Sequence, residues 1–300
     1  MGTDIVGEFE RFNVDGRSQF SISRYFKGTS DRGFIFGSVD EVIQTLDDNA
    51  MTLQSMSASR FIGPFLAQVQ GWEKSLSLIS EVCEIWMSVQ RKWMYLESIF
   101  IGGDIRSQLP EEAKKFDKIN DTFKKIMQET AKNPKIKDAC HAPNRLDDFI
   151  MLGEGLEKCQ KSLNDYLDSK RNSFPRFFFI SDDELLSILG SSDPTCVQEH
   201  MIKMYDNIAA LEFNDGMNGE KIASAMISAE KEKLDFKKAI PAEGRVEEWM
   251  TAVLNEMRST NRLVTKEAVY TYGSDKSRVD WMLDYRGMVV LAANQIWWTW

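Results

Sequence analysis

The apolar positions of this chain fall mostly into helical stripes, interrupted by a few short alternating or aromatic runs. Phe65, Val69, Trp72, Leu76, Ile79, Cys83 and Trp86 step by four and three in turn, and Trp93 and Leu96 extend the same face. This predicts one helix from Phe65 to Glu97, roughly 50 Å long at 1.5 Å per residue. Its seam is short and carries bulky tryptophans, which favours an antiparallel bundle over a coiled coil. Before it, Gln19 to Phe26 and Gly33 to Gly37 flank a polar turn and read as a β-hairpin. Ser38 with Glu41 then gives a capping-box pattern for a helix whose face is Val39, Val42, Ile43, Leu46, Ala50 and Leu53.

Gly102 and Gly103 break the long helix, and Pro110 followed by Glu111 and Glu112 starts the next one, with Ala113, Phe116, Ile119, Phe123 and Ile126/Met127 inward. A further helix from about Asn144 carries Leu156, Cys159, Leu163 and Tyr166/Leu167. It stops at Phe174-Pro175, because proline cannot continue a helix and pushes the residue before it toward extended backbone. Arg176 and three successive phenylalanines, Phe177, Phe178 and Phe179, follow, and Ser181 with Glu184 restarts a helix at once. Phe174 to Ser181 is therefore a short aromatic joint, either a hinge or a rigid weld.

Beyond the joint, a helix ends near Gly190, and another opens at Asp193-Pro194 with Val197, Met201, Met204, Ile208 and Leu211 inward. Lys221 to Ser228 and Lys233 to Ile240 read as a second hairpin, joined by Ala229 to Glu232. A helix from Val246 to about Tyr272 comes next. The last one is expected to run from Val279 through Met282, Val289/Val290, Ala293 and Ile296/Trp297 to Trp300. The fold class is mainly α, an elongated rod of antiparallel bundles with small β-hairpin insertions. Its expected parts are residues 1–37, 38–173 and 174–300.

Composition narrows the function. The chain has 300 residues, 43% hydrophobic and 28% charged, enough apolar content for a large core. A net charge of -9 argues against nucleic-acid binding, which needs a basic face, and Lys124-Lys125 and Lys170-Arg171 read as solvated helix faces. Cys83, Cys140, Cys159 and Cys196 form no CxxC pair, and His141 and His200 are the only histidines, so buried structural thiols in a reducing compartment are expected rather than a metal site. There is no membrane-spanning run and no signal-peptide pattern. The start at Met1-Gly2 and the tryptophan-rich stop at Trp300 suggest a piece of a longer polypeptide.

No P-loop, Rossmann glycine fingerprint, GxSxG elbow, HExxH pair or EF-hand loop occurs. Most of the paired carboxylates (Asp47-Asp48, Glu111-Glu112, Asp147-Asp148, Asp182-Asp183, Glu247-Glu248) stand at predicted helix starts, where the dipole accounts for them. Met201, Met204, Met217 and Met226 read as core filling rather than a binding face. The residues alone thus lead to a helical structural or interaction protein with no catalysis and no cofactor.

Longer stretches carry a resemblance. VQRKWMYLESIF (Val89 to Phe100), QLPEE (Gln108 to Glu112), QKSLNDYLDSKRNSFPR (Gln160 to Arg176), FFFISDDELLSIL (Phe177 to Leu189), VEEWMTAVLNEM (Val246 to Met257) and the terminal QIWWTW are similar, in order, to the linker region of dynein heavy chains. FIGPFLAQVQGW (Phe61 to Trp72) and the SISRYF hairpin are closer to axonemal than to cytoplasmic members. The resemblance implies a mechanical lever that swings across a ring of AAA+ modules in the same heavy chain, in the axoneme of a cilium or flagellum. Nucleotide and microtubules would bind elsewhere in that chain, and other dynein subunits only through the whole motor. The sequence stops before the family's last linker helices, so Trp297, Trp298 and Trp300 form a candidate docking surface. Phe174, Pro175, Arg176, Phe177, Phe178 and Phe179 are the candidate hinge or joint. The alternative is a passive helical scaffold or tail segment for dynein assembly or partner binding.

Overall fold

The computed structural model describes residues 19–27, 30–100, 105–216 and 219–299. They form a mainly helical fold with two small antiparallel sheets. The chain divides into two compact units, Met1–Ser162 and Leu163–Trp300.

In the first unit, β1 (Ile22–Lys27) pairs with β2 (Ser30–Phe36) as the alternation predicts, with a register shift at Tyr25/Phe26. Helix α1 (Asp40–Ser57) follows, but the capping box does not form. Val39 is the N-cap, which puts Ser38 one position too early, and its hydroxyl bonds Asp40 instead. Gly63–Phe65 makes a 3-10 turn into α2 (Leu66–Phe100), 35 residues long. The break predicted at Gly102 and Gly103 falls outside the described residues. After the short α3 (Ile105–Gln108), α4 (Pro110–Lys132) begins at its proline, and α5 (Ile136–Cys140) leads to α6 (Arg145–Ser173). The unit boundary falls within α6.

The stripe of α2 is buried because other elements bring aromatic rings to it. Trp86 meets Phe36 at 4.6 Å and Phe149 at 4.4 Å between centroids, and Trp93 meets Phe123 at 4.7 Å. Both indoles find a partner for their N–H, as buried tryptophans must: Trp86 Nε1 donates to Met127 Sδ and Trp93 Nε1 to Asn120 Oδ1. Gly155 of α6 allows close approach: a Cβ there would stand 2.7 Å from Cδ1 of Ile119 on α4, so the end of that side chain would have to shift.

In the second unit, a 3-10 turn (Pro175–Phe179) separates α6 from α7 (Asp182–Leu189). The helix expected from Asp193-Pro194 to Leu211 is corrected. Pro194–His200 is 3-10, α8 (Met201–Met204) is one turn, and Ile208–Asp215 is a strand, β3. Tyr205 turns extended and Asn207 adopts φ 61°, so the helix cannot continue. β3 pairs antiparallel with β4 (Lys221–Ser228), which pairs with β5 (Lys233–Pro241), so the predicted hairpin becomes a three-stranded sheet. The AEKE turn is accommodated by Lys231 at φ 68°.

Helix α9 (Val246–Thr271) matches its prediction, whereas the single C-terminal helix is two, α10 (Arg278–Asp284) and α11 (Gly287–Thr299). Tyr285 is extended between them. The break is held by Arg286 Nε on the Lys233 carbonyl at 2.7 Å and by the Gly287 amide on the Glu232 carboxylate at 3.1 Å. Trp281, Ala268, Val289 and Ala293 make the core there.

Candidate functional site

The aromatic joint is built by local rules and then closed by residues distant in sequence. Phe174 is extended (φ −135°, ψ 92°), the conformation that the following proline imposes. Its amide still bonds the Lys170 carbonyl at 3.0 Å, so α6 is satisfied up to the break. The 3-10 turn closes by Phe177 N–H to the Phe174 carbonyl at 3.0 Å and Ile180 N–H to the Phe177 carbonyl at 3.3 Å. Ser181 then caps α7 with a complete capping box: its hydroxyl accepts from the Glu184 amide, and its own amide donates to the Glu184 carboxylate at 3.0 Å.

The phenylalanines divide. Phe174 and Phe177 are buried and meet edge to face at 4.9 Å, whereas Phe178 and Phe179 are 59% and 67% exposed. A 3-10 turn places three successive side chains a third of a turn apart, so all three cannot face one core.

Charged groups brace the turn. Arg171 at the end of α6 reaches Asp182 at the start of α7, Nη2 to Oδ1 at 2.5 Å. Arg176 Nη1 donates to the Met204 carbonyl at 2.6 Å, and its guanidinium lies 4.4 Å from the centroid of the Tyr205 ring. Burial pushes the Tyr205 phenol up to about 12, and its hydroxyl has no hydrogen-bond partner among the described residues. Lys203 bonds the Glu184 carboxylate, and with the Ser181 amide it holds that carboxyl down to about 2. One turn upstream, Lys170 and Glu247 of α9 pair at 2.5 Å, with side chains 14% and 7% exposed.

Lys170 and Arg171 are thus ion-paired and largely buried, not the solvated face expected from their charge. Sequence reasoning also left out Asp182, Tyr205 and Glu247 as members of this arrangement. Opposite charges stand on either side of Pro175 (Lys170, Arg171 and Asp182, Asp183), a signal that could have found Asp182 but not Tyr205 or Glu247.

At the other candidate surface, the Trp297 indole donates to the Val269 carbonyl at 2.7 Å and stacks on Tyr272 at 5.2 Å. Trp298 is 85% exposed, and Trp300 lies outside the described residues. Leu283 and Leu291 on the two C-terminal helices are exposed as well. Among the described residues no group of three or more His, Cys, Asp and Glu is placed to hold a metal, and no helix is long and apolar enough to cross a membrane.

The protein family described as “Dynein heavy chain, N-terminal region 2” matches residues 16–268. The chain is 74% identical over 282 residues to dynein axonemal heavy chain 10 of Homo sapiens, covering 94% of this chain and 6% of that protein. It is 54% identical over 283 residues to the dynein-1-alpha heavy chain, flagellar inner arm I1 complex, of Chlamydomonas reinhardtii, covering 94% and 6%. With the ciliary dynein beta chain of Heliocidaris crassispina it shares 44% identity over 266 residues, covering 87% and 6%. The chain therefore spans about 6% of the length of these relatives.

Proposed function

Because the chain belongs to the dynein heavy chain family, within N-terminal region 2, we propose that it is the linker of an axonemal motor: a lever that swings across the AAA+ ring of its own heavy chain. The axonemal setting rests on its similarity to an axonemal heavy chain and to a flagellar inner-arm heavy chain. The lever performs no catalysis. ATP would be hydrolysed in the ring, microtubules would bind elsewhere in the heavy chain, and the linker would carry strain between the ring and the rest of the motor.

The observation that carries this reading is the closure of the aromatic joint. Packed rings, the Arg171–Asp182 pair and the Arg176–Met204 bond oppose bending where Pro175 interrupts the helices. The joint acts as a weld, and the swing is taken up elsewhere. A packed, hydrogen-bonded turn transmits force, whereas a hinge needs residues free to change φ and ψ. Trp297, Trp298 and Trp300 serve as the docking surface at the C-terminal end.

The test uses the whole motor. A fluorophore on the linker and one on the ring should change separation between nucleotide states, and an invariant separation removes the lever. Labels at Asn164→Cys and Ser187→Cys, either side of the joint, should keep a constant separation, and a change there turns the weld into a hinge.

One observation favours a scaffold instead: Phe178, Phe179 and the Leu283/Leu291/Trp298 surface are exposed and apolar. Stable binding of this chain to other axonemal proteins, with no affinity for the ring, is the outcome that selects that reading.

A further inference from the structure

The two cysteines that the sequence separates by 57 positions meet inside the first unit. Cys83, on the buried face of α2, and Cys140, the last residue of α5, have sulfurs 3.9 Å apart. Both side chains are buried, and neither cysteine is in a disulfide. A sulfur–sulfur bond is about 2.05 Å long, so closing the gap takes less than 2 Å of movement. That movement is available on one side. Helix α5 has five residues, follows Pro134, and exposes Lys137 and Asp138 on its outer face. Such a short element opens locally at little cost, which lets a water-sized reagent reach the pair.

The surroundings favour reaction over inertness. The two thiols share a hydrogen bond in which either sulfur can donate; that contact lowers the Cys83 thiol from its ordinary range, and the same contact, with burial, raises Cys140. The guanidinium of Arg145, itself buried and bonded to the Ala139 carbonyl at 3.1 Å, adds a positive charge beside Cys140. Two thiols in contact, one lowered by the other and with a cation beside the pair, are an arrangement in which one sulfur can be oxidised and the other can resolve it. Cys159 and Cys196 lack it, and burial raises both of their thiols.

We propose that Cys83 and Cys140 are a site of reversible oxidation, at which a hydroperoxide converts the two thiols into a disulfide that staples α5 to α2. The Cys83 thiolate attacks the peroxide, breaking the O–O bond, giving a sulfenic acid and releasing hydroxide (or alkoxide). The Cys140 thiol gives up its proton, its sulfur attacks the sulfenic sulfur, and the second oxygen leaves as water. With hydrogen peroxide the balance is two thiols and one peroxide to one disulfide and two waters. Two electrons pass from sulfur to oxygen, and a dithiol such as dithiothreitol reverses the change by exchange. The staple would tie down the segment that follows Pro134, whose carbonyl accepts from the Phe20 amide at 2.9 Å. It therefore bears on how the N-terminal hairpin is held.

The test treats the folded 300-residue chain with graded hydrogen peroxide, quenches with catalase, alkylates, and maps the peptides by mass spectrometry. The expected result is a fall from four free thiols to two, one Cys83–Cys140 cross-linked peptide, and full recovery with dithiothreitol. Amide exchange over residues 135–141 should slow in the oxidised form. Cys140→Ser should stop the reaction at a Cys83 sulfenic acid that dimedone traps, and Cys159→Ser and Cys196→Ser should leave the cross-link intact. Absence of the Cys83–Cys140 peptide from the folded wild-type chain after thiol loss overturns the proposal, whether the loss falls on Cys196 or ends in dithiothreitol-resistant acids. Because that reading needs no variant, a serine substitution that fails to fold does not shield the proposal.

Discussion

At the scale of single residues, two glutamines do what a β-strand partner would do. Gln90 on α2 accepts from the Phe36 amide at 2.8 Å and donates to the Phe36 carbonyl at 3.2 Å, clamping the end of β2. Gln198 treats Leu211 of β3 the same way, at 2.9 and 2.5 Å. A primary amide sets an N–H donor beside its carbonyl acceptor, so it matches the backbone N–H and C=O of one residue. Gln90→Ala leaves two buried backbone groups without partners, each costing about 1–3 kcal/mol. The expected outcome is a lower urea midpoint and faster exchange of the Phe36 amide, while the exposed Gln128→Ala stays within about 0.5 kcal/mol of wild type. The same logic separates the joint phenylalanines. Phe177→Ala should cost about 3–5 kcal/mol because Phe177 is fully buried, and Phe178→Ala should be near neutral in chemical denaturation.

At the scale of elements, the start of α7 and the end of α6 are set by different forces. The capping box at Ser181 is local, and Ser181→Ala should destabilise α7 by about 1 kcal/mol. Glu184 adds an acid dependence. Its folded-state carboxyl sits at about 2, held down first by Lys203 and then by the Ser181 amide. An unfolded glutamate sits near ~4.3. The contribution is therefore present above the unfolded value and lost as pH falls through 2. Glu184→Gln should flatten the acid limb of a stability-versus-pH curve between about 4 and 2. The Lys170–Glu247 pair joins α6 to α9. Replacing one partner by an apolar residue strands a buried charge and should cost about 3–5 kcal/mol, while Lys170→Met with Glu247→Leu together should recover most of it, as read by a double-mutant cycle.

At the scale of the whole molecule, the proposed lever with a rigid joint makes a mechanical prediction. Phe174→Leu removes one ring of the buried pair while keeping an apolar side chain in its place. Microtubule gliding by the complete heavy chain should slow several-fold while its ATPase rate stays near wild type. Equal loss of both would mean that the substitution damages the ring or the fold rather than the transmission of force.

The sequence by itself determined most of the helices, both ends of the joint and the strands of two hairpins, because these follow from short-range rules: apolar period, proline geometry, capping residues. The sequence motifs also carried the family. The same local reading failed where long-range contacts decide. Ile208 to Leu211 continues a helical stripe, yet it is a strand because Gln198 and the edge of β4 take its backbone groups. The C-terminal stripe reads as one helix, yet Arg286 and Gly287 are captured by residues more than fifty positions away. Lys170 and Arg171 look like surface charges until Glu247 and Asp182 arrive. The meeting of Cys83 with Cys140 is of the same kind: no spacing rule encodes it, because the distance between two buried side chains is a property of how helices pack.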